Sequence, residues 1–83
     1  MRPIREYDVV RVTRLIEPAR SFTGSESVAR PPAVGDVAAV CHEYQPNDPT
    51  ARVAVEMVDR DGYTIWLADF ERSELELVVE AAV

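Results

Sequence analysis

The sequence predicts a small all-β fold, a five-stranded SH3-like barrel with a long loop between strands one and two and a short 3-10 turn before the last strand. Three observations predict it. Apolar and β-branched residues alternate with polar ones over short runs, which is the period of half-buried strands. Asp61-Gly62 sits between two such runs and supplies the turn chemistry of a tight hairpin. The stretch 70–74, which Asp69 could cap, is too brief to stand as an α-helix.

The first strand is expected over 7–15, with Val10 and Val12 on one side and Arg11 and Thr13 on the other. From 16 to 33 the alternation lapses among Pro18, Ser21, Gly24, Ser25, Ser27, Pro31 and Pro32. This is a long loop, beyond the ~12–15 residues above which an unstructured loop is usually functional or disordered. Val34-Gly35-Asp36 reads as a turn into a second strand over 37–44. Its two faces, Val37, Ala39 and Cys41 against Ala38, Val40 and His42, are both apolar, which predicts a central or bulged strand. Residues 45–50 hold two prolines and connect to a third strand over 52–58, where Val53, Val55 and Met57 share a face. After the Asp59-Arg60-Asp61-Gly62 hairpin, Tyr63, Ile65 and Leu67 point one way and Thr64, Trp66 and Ala68 the other. A 3-10 turn within 70–74 leads to a fifth strand over 76–79, with Leu75, Leu77 and Val79 in phase. Closing the sheet would hide its edges.

A chain of 83 residues holds one core, so 1–83 is read as a single domain. No apolar run approaches the ~18–20 residues that span a bilayer, and Glu6 and Asp8 fall where a signal peptide would be apolar. A cytoplasmic protein with no membrane attachment is expected. Cys41 is the only cysteine, permits no intrachain disulfide, and is read as buried and inert. The net charge of −6 disfavours nucleic acid, whose binding rests on Lys and Arg. Residues 1–35 carry six Arg against four acidic residues, whereas 36–83 carry three Arg against eleven, a balance of −8. The acidic second half is a surface for a basic partner.

Catalysis needs a nucleophile, a base or a metal at workable spacing. Cys41 and His42 are neighbours on a strand, so they point to opposite faces and form no thiolate–imidazole pair. One Cys and one His cannot make a structural zinc site, and the Asp59-Arg60-Asp61-Gly62 segment lacks the later ligands of a calcium loop. No catalytic, cofactor-binding or metal-binding residue is expected. Strand phase sets Trp66 opposite Ile65 and Leu67, either outside the barrel or under the long loop. Phe22, Trp66 and Tyr44 are candidates to line a groove beside that loop, and Asp69, Glu71, Glu74 and Glu76 form a solvated or partner-facing acidic surface.

The order Tyr7-Asp8-Val9-Val10-Arg11-Val12, then Val34-Gly35-Asp36-Val37 leading into Val40, then Val53-Ala54-Val55-Glu56-Met57-Val58-Asp59-Arg60-Asp61-Gly62, and finally Leu75, resembles the DUF4926 family of small bacterial SH3-like domains. These motifs build a barrel and carry no chemistry. Ala38 stands where the family pattern tends to have a second glycine, so a strand bulge is expected to replace a sharper bend, and the first loop is longer than the family's. The resemblance implies a protein that neutralises or modulates a partner encoded nearby, as antitoxins and immunity proteins do. The expected function is a non-enzymatic protein-interaction module, monomer or homodimer, with no cofactor and with a basic protein as partner. The alternatives are a KOW-like nucleic-acid or ribosome-associated barrel using Arg2, Arg5, Arg11, Arg14 and Arg20, and a self-assembling structural domain using an open strand edge.

Overall fold

The alternating segments pair into one sheet. The computed structural model describes residues 2–82, so Met1 and Val83 of the domain expected over 1–83 lie outside the described residues. The strands are β1 (Val9–Val12), β2 (Val37–Glu43), β3 (Val53–Val58), β4 (Thr64–Phe70) and β5 (Leu75–Val79), with a 3-10 turn at Arg72–Glu74. All pairs are antiparallel, in the order β4-β3-β2-β1-β5. The sheet is not closed, and β4 and β5 are its two edges. Among the described residues no α-helix forms, and no helix is long and apolar enough to cross a membrane.

One face of the sheet makes the core. Val10, Val12, Val40, Val53, Val55, Trp66 and Phe70 are wholly buried, joined by Ile4, Ala38, Ala68 and Leu75. Each buried valine contributes about 1.5–3 kcal/mol relative to exposure, so burial of this face is what selects the register. β4 therefore presents Trp66, Ala68 and Phe70 inward and leaves Tyr63 and Leu67 exposed. Of the two placements open for Trp66, this rules out the one outside the barrel: the phase relative to Ile65 and Leu67 holds, but the larger apolar set faces in. β4 also extends through Asp69 and Phe70, which the sequence assigned to a cap and turn, because Phe70 pairs with Val53 and packs its ring 5.4 Å from that of Trp66. The 3-10 turn accordingly begins later, at Arg72.

The hairpin after β3 closes on Gly62, whose φ is +88° and whose N–H donates to Asp59 O at 3.0 Å. Asp59 Oδ1 accepts from the N–H groups of Asp61 and Tyr63, both at 2.9 Å. β2 is both central and bulged, but the bulge falls between Val40 and His42 and not at Ala38, which stays in register opposite Val10.

The long loop is the piece that manages the open sheet. Thr23 N–H donates to Leu67 O at 3.0 Å and Leu67 N–H to Thr23 O at 2.7 Å, while Ser25 N–H reaches Thr64 O and Arg30 N–H reaches Ile65 O. Arg20 Nη1 donates to Asp69 O at 2.7 Å. The backbone edge of β4 is thus covered by its own chain instead of by barrel closure. Gly24 permits the close approach, since a Cβ there would lie 2.6 Å from Ile65 O. Gly24→Ala is expected to lift the loop at a cost of about 1–3 kcal/mol. Urea denaturation measures the loss, and faster hydrogen exchange at the Leu67 amide locates it.

Side-chain clusters fasten the remaining connections. Asp36 accepts from both Arg30 nitrogens, Ala33 N–H and Trp66 Nε1, each at 2.9 Å, and so joins the loop's end to the core indole. Arg72 donates to the carbonyls of Ile4, Asp48 and Ala51 and to Glu43 Oε1, gathering the N-terminal segment and the 45–52 connection around the 3-10 turn. Asp8 is fully buried and accepts from Arg2, Arg5 N–H and Ala81 N–H, holding both ends of the chain beside β1.

Candidate functional site

Where the loop crosses β4 it leaves a groove on the outer side of the sheet. Its volume is about 360 Å³, and it is lined by Ser21, Phe22 and Thr23 from the loop, Cys41 and Tyr44 from β2 and the residue after it, Ala54 from β3, and Leu67, Ala68 and Asp69 from β4. The trough exists because small residues meet at neighbouring positions: Ala54 stands opposite Asp69 and His42, with Cys41 in the bulge beside it. Phe22, Leu67 and Tyr44 give it its large apolar side chains, and Asp69 lines it with a carboxylate. The volume lies at the small end of ligand sites, which run about 300–1,000 Å³.

Negative charge gathers at one rim. Tyr44 Oη donates to Asp69 Oδ1 at 2.5 Å, and this bond, with some desolvation, pushes the Tyr44 hydroxyl up to about 12. Glu56 Oε2 accepts from Thr64 Oγ1 at 2.6 Å. Neither the Asp69 nor the Glu56 carboxylate has an ion-pair partner among the described residues. The Cys41 thiol registers the effect: burial first, then the charges of Glu56, Asp69 and Glu6, push its pKa above the ordinary value.

Phe22 and Tyr44 thus meet in a groove beside the loop, joined by Asp69 from the acidic set that the sequence kept apart from it, and the other candidates do not. Trp66 is on the core side with no exposed surface and is removed from any contact surface. Glu74 is 1% exposed and belongs to the interior, not to an acidic surface. Its carboxylate pairs with Arg20, which lies over the Phe70 ring at 4.1 Å, and accepts the N–H groups of Ile16 and Glu71. Glu71 is half-buried at the start of the 3-10 turn, and Glu76 is exposed but held by Arg11 at 2.5 Å. The charge contrast between the two halves is largely cancelled in space. Arg2 pairs with Glu80, Arg11 with Glu76, Arg20 with Glu74 and Arg30 with Asp36, each joining a basic N-terminal residue to an acidic C-terminal one. Arg2, Arg11 and Arg20 are therefore already committed to carboxylates, against a role in binding phosphates.

Cys41 is exposed, which corrects the buried reading. The bulge breaks the alternation, so Cys41 and His42 are both exposed instead of facing opposite ways. They still make no pair: Cys41 Sγ donates to Ala54 O at 3.4 Å, while His42 Nδ1 lies 3.5 Å from Glu6 Oε1 and its ring meets Tyr44 edge-on at 5.1 Å. Among the described residues no group of three or more His, Cys, Asp or Glu side chains could hold a metal ion. Cys41, Ala54 and Leu67 were not legible as lining residues, because only the register sets small side chains side by side. Comparison with protein-family models, with curated proteins and with solved structures gives no match for this chain.

Proposed function

We propose that this chain is a non-enzymatic protein-interaction module, an SH3-like barrel of the kind the DUF4926 resemblance implies, which binds a protein partner in the groove between the long loop and β2–β4. It acts as antitoxins and immunity proteins do, by occupying a partner encoded nearby. The strand order supports the barrel reading, since β1 to β4 pair in sequence and the last strand, β5, returns beside the first. The observation that carries the binding reading is the groove itself: an open apolar trough lined by Phe22, Leu67 and Tyr44. Aromatic side chains at such a wall are the usual anchors of a protein contact. An exposed free thiol fits a reducing cytoplasm.

Cys41 provides the test, because a group attached to its sulfur fills the groove without altering the fold's sequence. Its raised pKa leaves little thiolate at neutral pH, so alkylation by N-benzylmaleimide is expected to run slower than on a free cysteine peptide and to accelerate as pH rises past the ordinary thiol range. The protein purified from its native host at low salt is expected to bring down a partner. The alkylated protein, shown folded by circular dichroism, is expected to lose it. A partner retained equally by the alkylated protein, or none at any salt concentration, overturns the reading.

A further inference from the structure

Resting on the groove as the binding site, we infer that its occupant is an arginine side chain from an extended segment of the partner, with the aliphatic stem on Phe22, Leu67 and Ala54 and the guanidinium at the Asp69 carboxylate beside the Tyr44 ring. The argument begins with what Asp69 lacks. Its Oδ1 takes the Tyr44 hydroxyl, a neutral donor, while Arg20 spends one nitrogen on the Asp69 backbone carbonyl and its charge on Glu74. Glu56, across the register from Leu67, adds a second carboxylate with no ion-pair partner among the described residues. A cation entering here therefore meets charge that nothing in the described chain neutralises.

The walls decide which cation. A guanidinium is planar, weakly hydrated and able to lie on an aromatic face while donating in its own plane; an ammonium is compact and strongly hydrated. Tyr44 is half-exposed and tethered by its hydroxyl to the same carboxylate, so a group bound to Asp69 lies next to the ring. The interior of this fold already holds one such arrangement, with the Arg20 guanidinium over Phe70 and against Glu74. The groove sets another aromatic ring, Tyr44, beside another carboxylate, Asp69. Its small volume suits one long side chain and part of its backbone.

The test uses the full chain labelled with nitrogen-15 and the peptide acetyl-Ala-Val-Arg-Val-Ala-amide, with versions carrying citrulline or lysine in place of arginine. The arginine peptide is expected to shift the amides of Thr23, Cys41, Ala54 and Asp69 with about millimolar affinity. Citrulline, of the same shape without the charge, is expected to bind about tenfold more weakly, and lysine several-fold more weakly. Asp69→Asn is expected to erase the difference between arginine and citrulline, whereas Tyr44→Phe, which keeps the ring, preserves it. Equal binding of citrulline or lysine, or a difference that survives Asp69→Asn, overturns the inference and leaves the groove reading standing. Shifts confined to other surfaces, or no shift with any peptide, overturn both.

Discussion

Trp66→Ala is expected to remove about a quarter or more of the folding stability at 25 °C. The indole has no exposed surface, packs against Phe70, and donates from Nε1 to Asp36 at 2.9 Å. Truncating a buried tryptophan costs about 3–5 kcal/mol through lost transfer energy and the cavity left behind. A chain of 83 residues has a total stability of about 4–12 kcal/mol, so the loss is a large share of the whole. The damage reaches the groove, because Asp36 also holds Arg30 and Ala33 at the far end of the loop. Trp66→Phe, which keeps the ring but not the N–H, is expected to fold with a smaller loss of about 1–3 kcal/mol. Urea denaturation of the two variants against the parent separates packing from the hydrogen bond.

Glu74→Ala has the second largest expected effect, about 3–5 kcal/mol, because it strands a buried arginine. The Arg20 side chain is 6% exposed and its partner carboxylate 2% exposed. The same carboxylate accepts from Ile16 and Glu71, so its removal also orphans one backbone donor where the loop leaves β1 and one at the start of the 3-10 turn. The pH dependence follows from the same contacts. Burial pushes the Glu74 carboxyl up, but the Arg20 guanidinium and the two N–H groups pull harder, and its pKa ends below the ordinary value. Asp36 behaves alike: burial raises it, and Arg30, Ala33 and Trp66 outweigh that. For a carboxylate lowered in the folded state, the stabilisation is fully present above the unfolded pKa, about 4, and is lost as pH falls through the folded value. Stability is therefore expected to hold from neutral pH to about 5 and to fall steeply below about 4. In Glu74→Gln that acid-side slope is expected to be shallower, read from urea midpoints across the pH series.

The strands were legible wherever alternation and turn chemistry agreed. Val53, Val55 and Met57 fell on the face expected, and the Asp59–Gly62 segment turned where its residues require. What alternation cannot supply is which face is inside. Trp66 was left between the outside and the cover of the loop because Ile65 and Leu67 are also apolar, and only the ring of Phe70 two turns of the pleat later, once β4 is seen to continue, tips the balance inward. Cys41 was misplaced because two apolar faces allow a bulge in β2 without fixing where it falls, and it falls between Val40 and His42. Glu74 was taken for a surface charge because its partner, Arg20, is 54 residues away in the chain. Long-range pairing of this kind also dissolved the apparent division into a basic and an acidic half. The candidate site was half legible for a related reason: Phe22, Tyr44 and Asp69 announce themselves by type, whereas the trough between them is made of small residues whose meaning depends on register.

The footprint of the partner on this chain tests the account most directly. Hydrogen exchange of the captured complex against the free protein is predicted to show new protection concentrated at residues 21–23, 41–44, 54 and 67–69, with the β5 edge unchanged and likewise the exposed Tyr7, in the turn that Asp8 N–H closes on Arg5 O before β1. Protection centred on β5 or on Tyr7, with the groove exchanging as in the free chain, would contradict it.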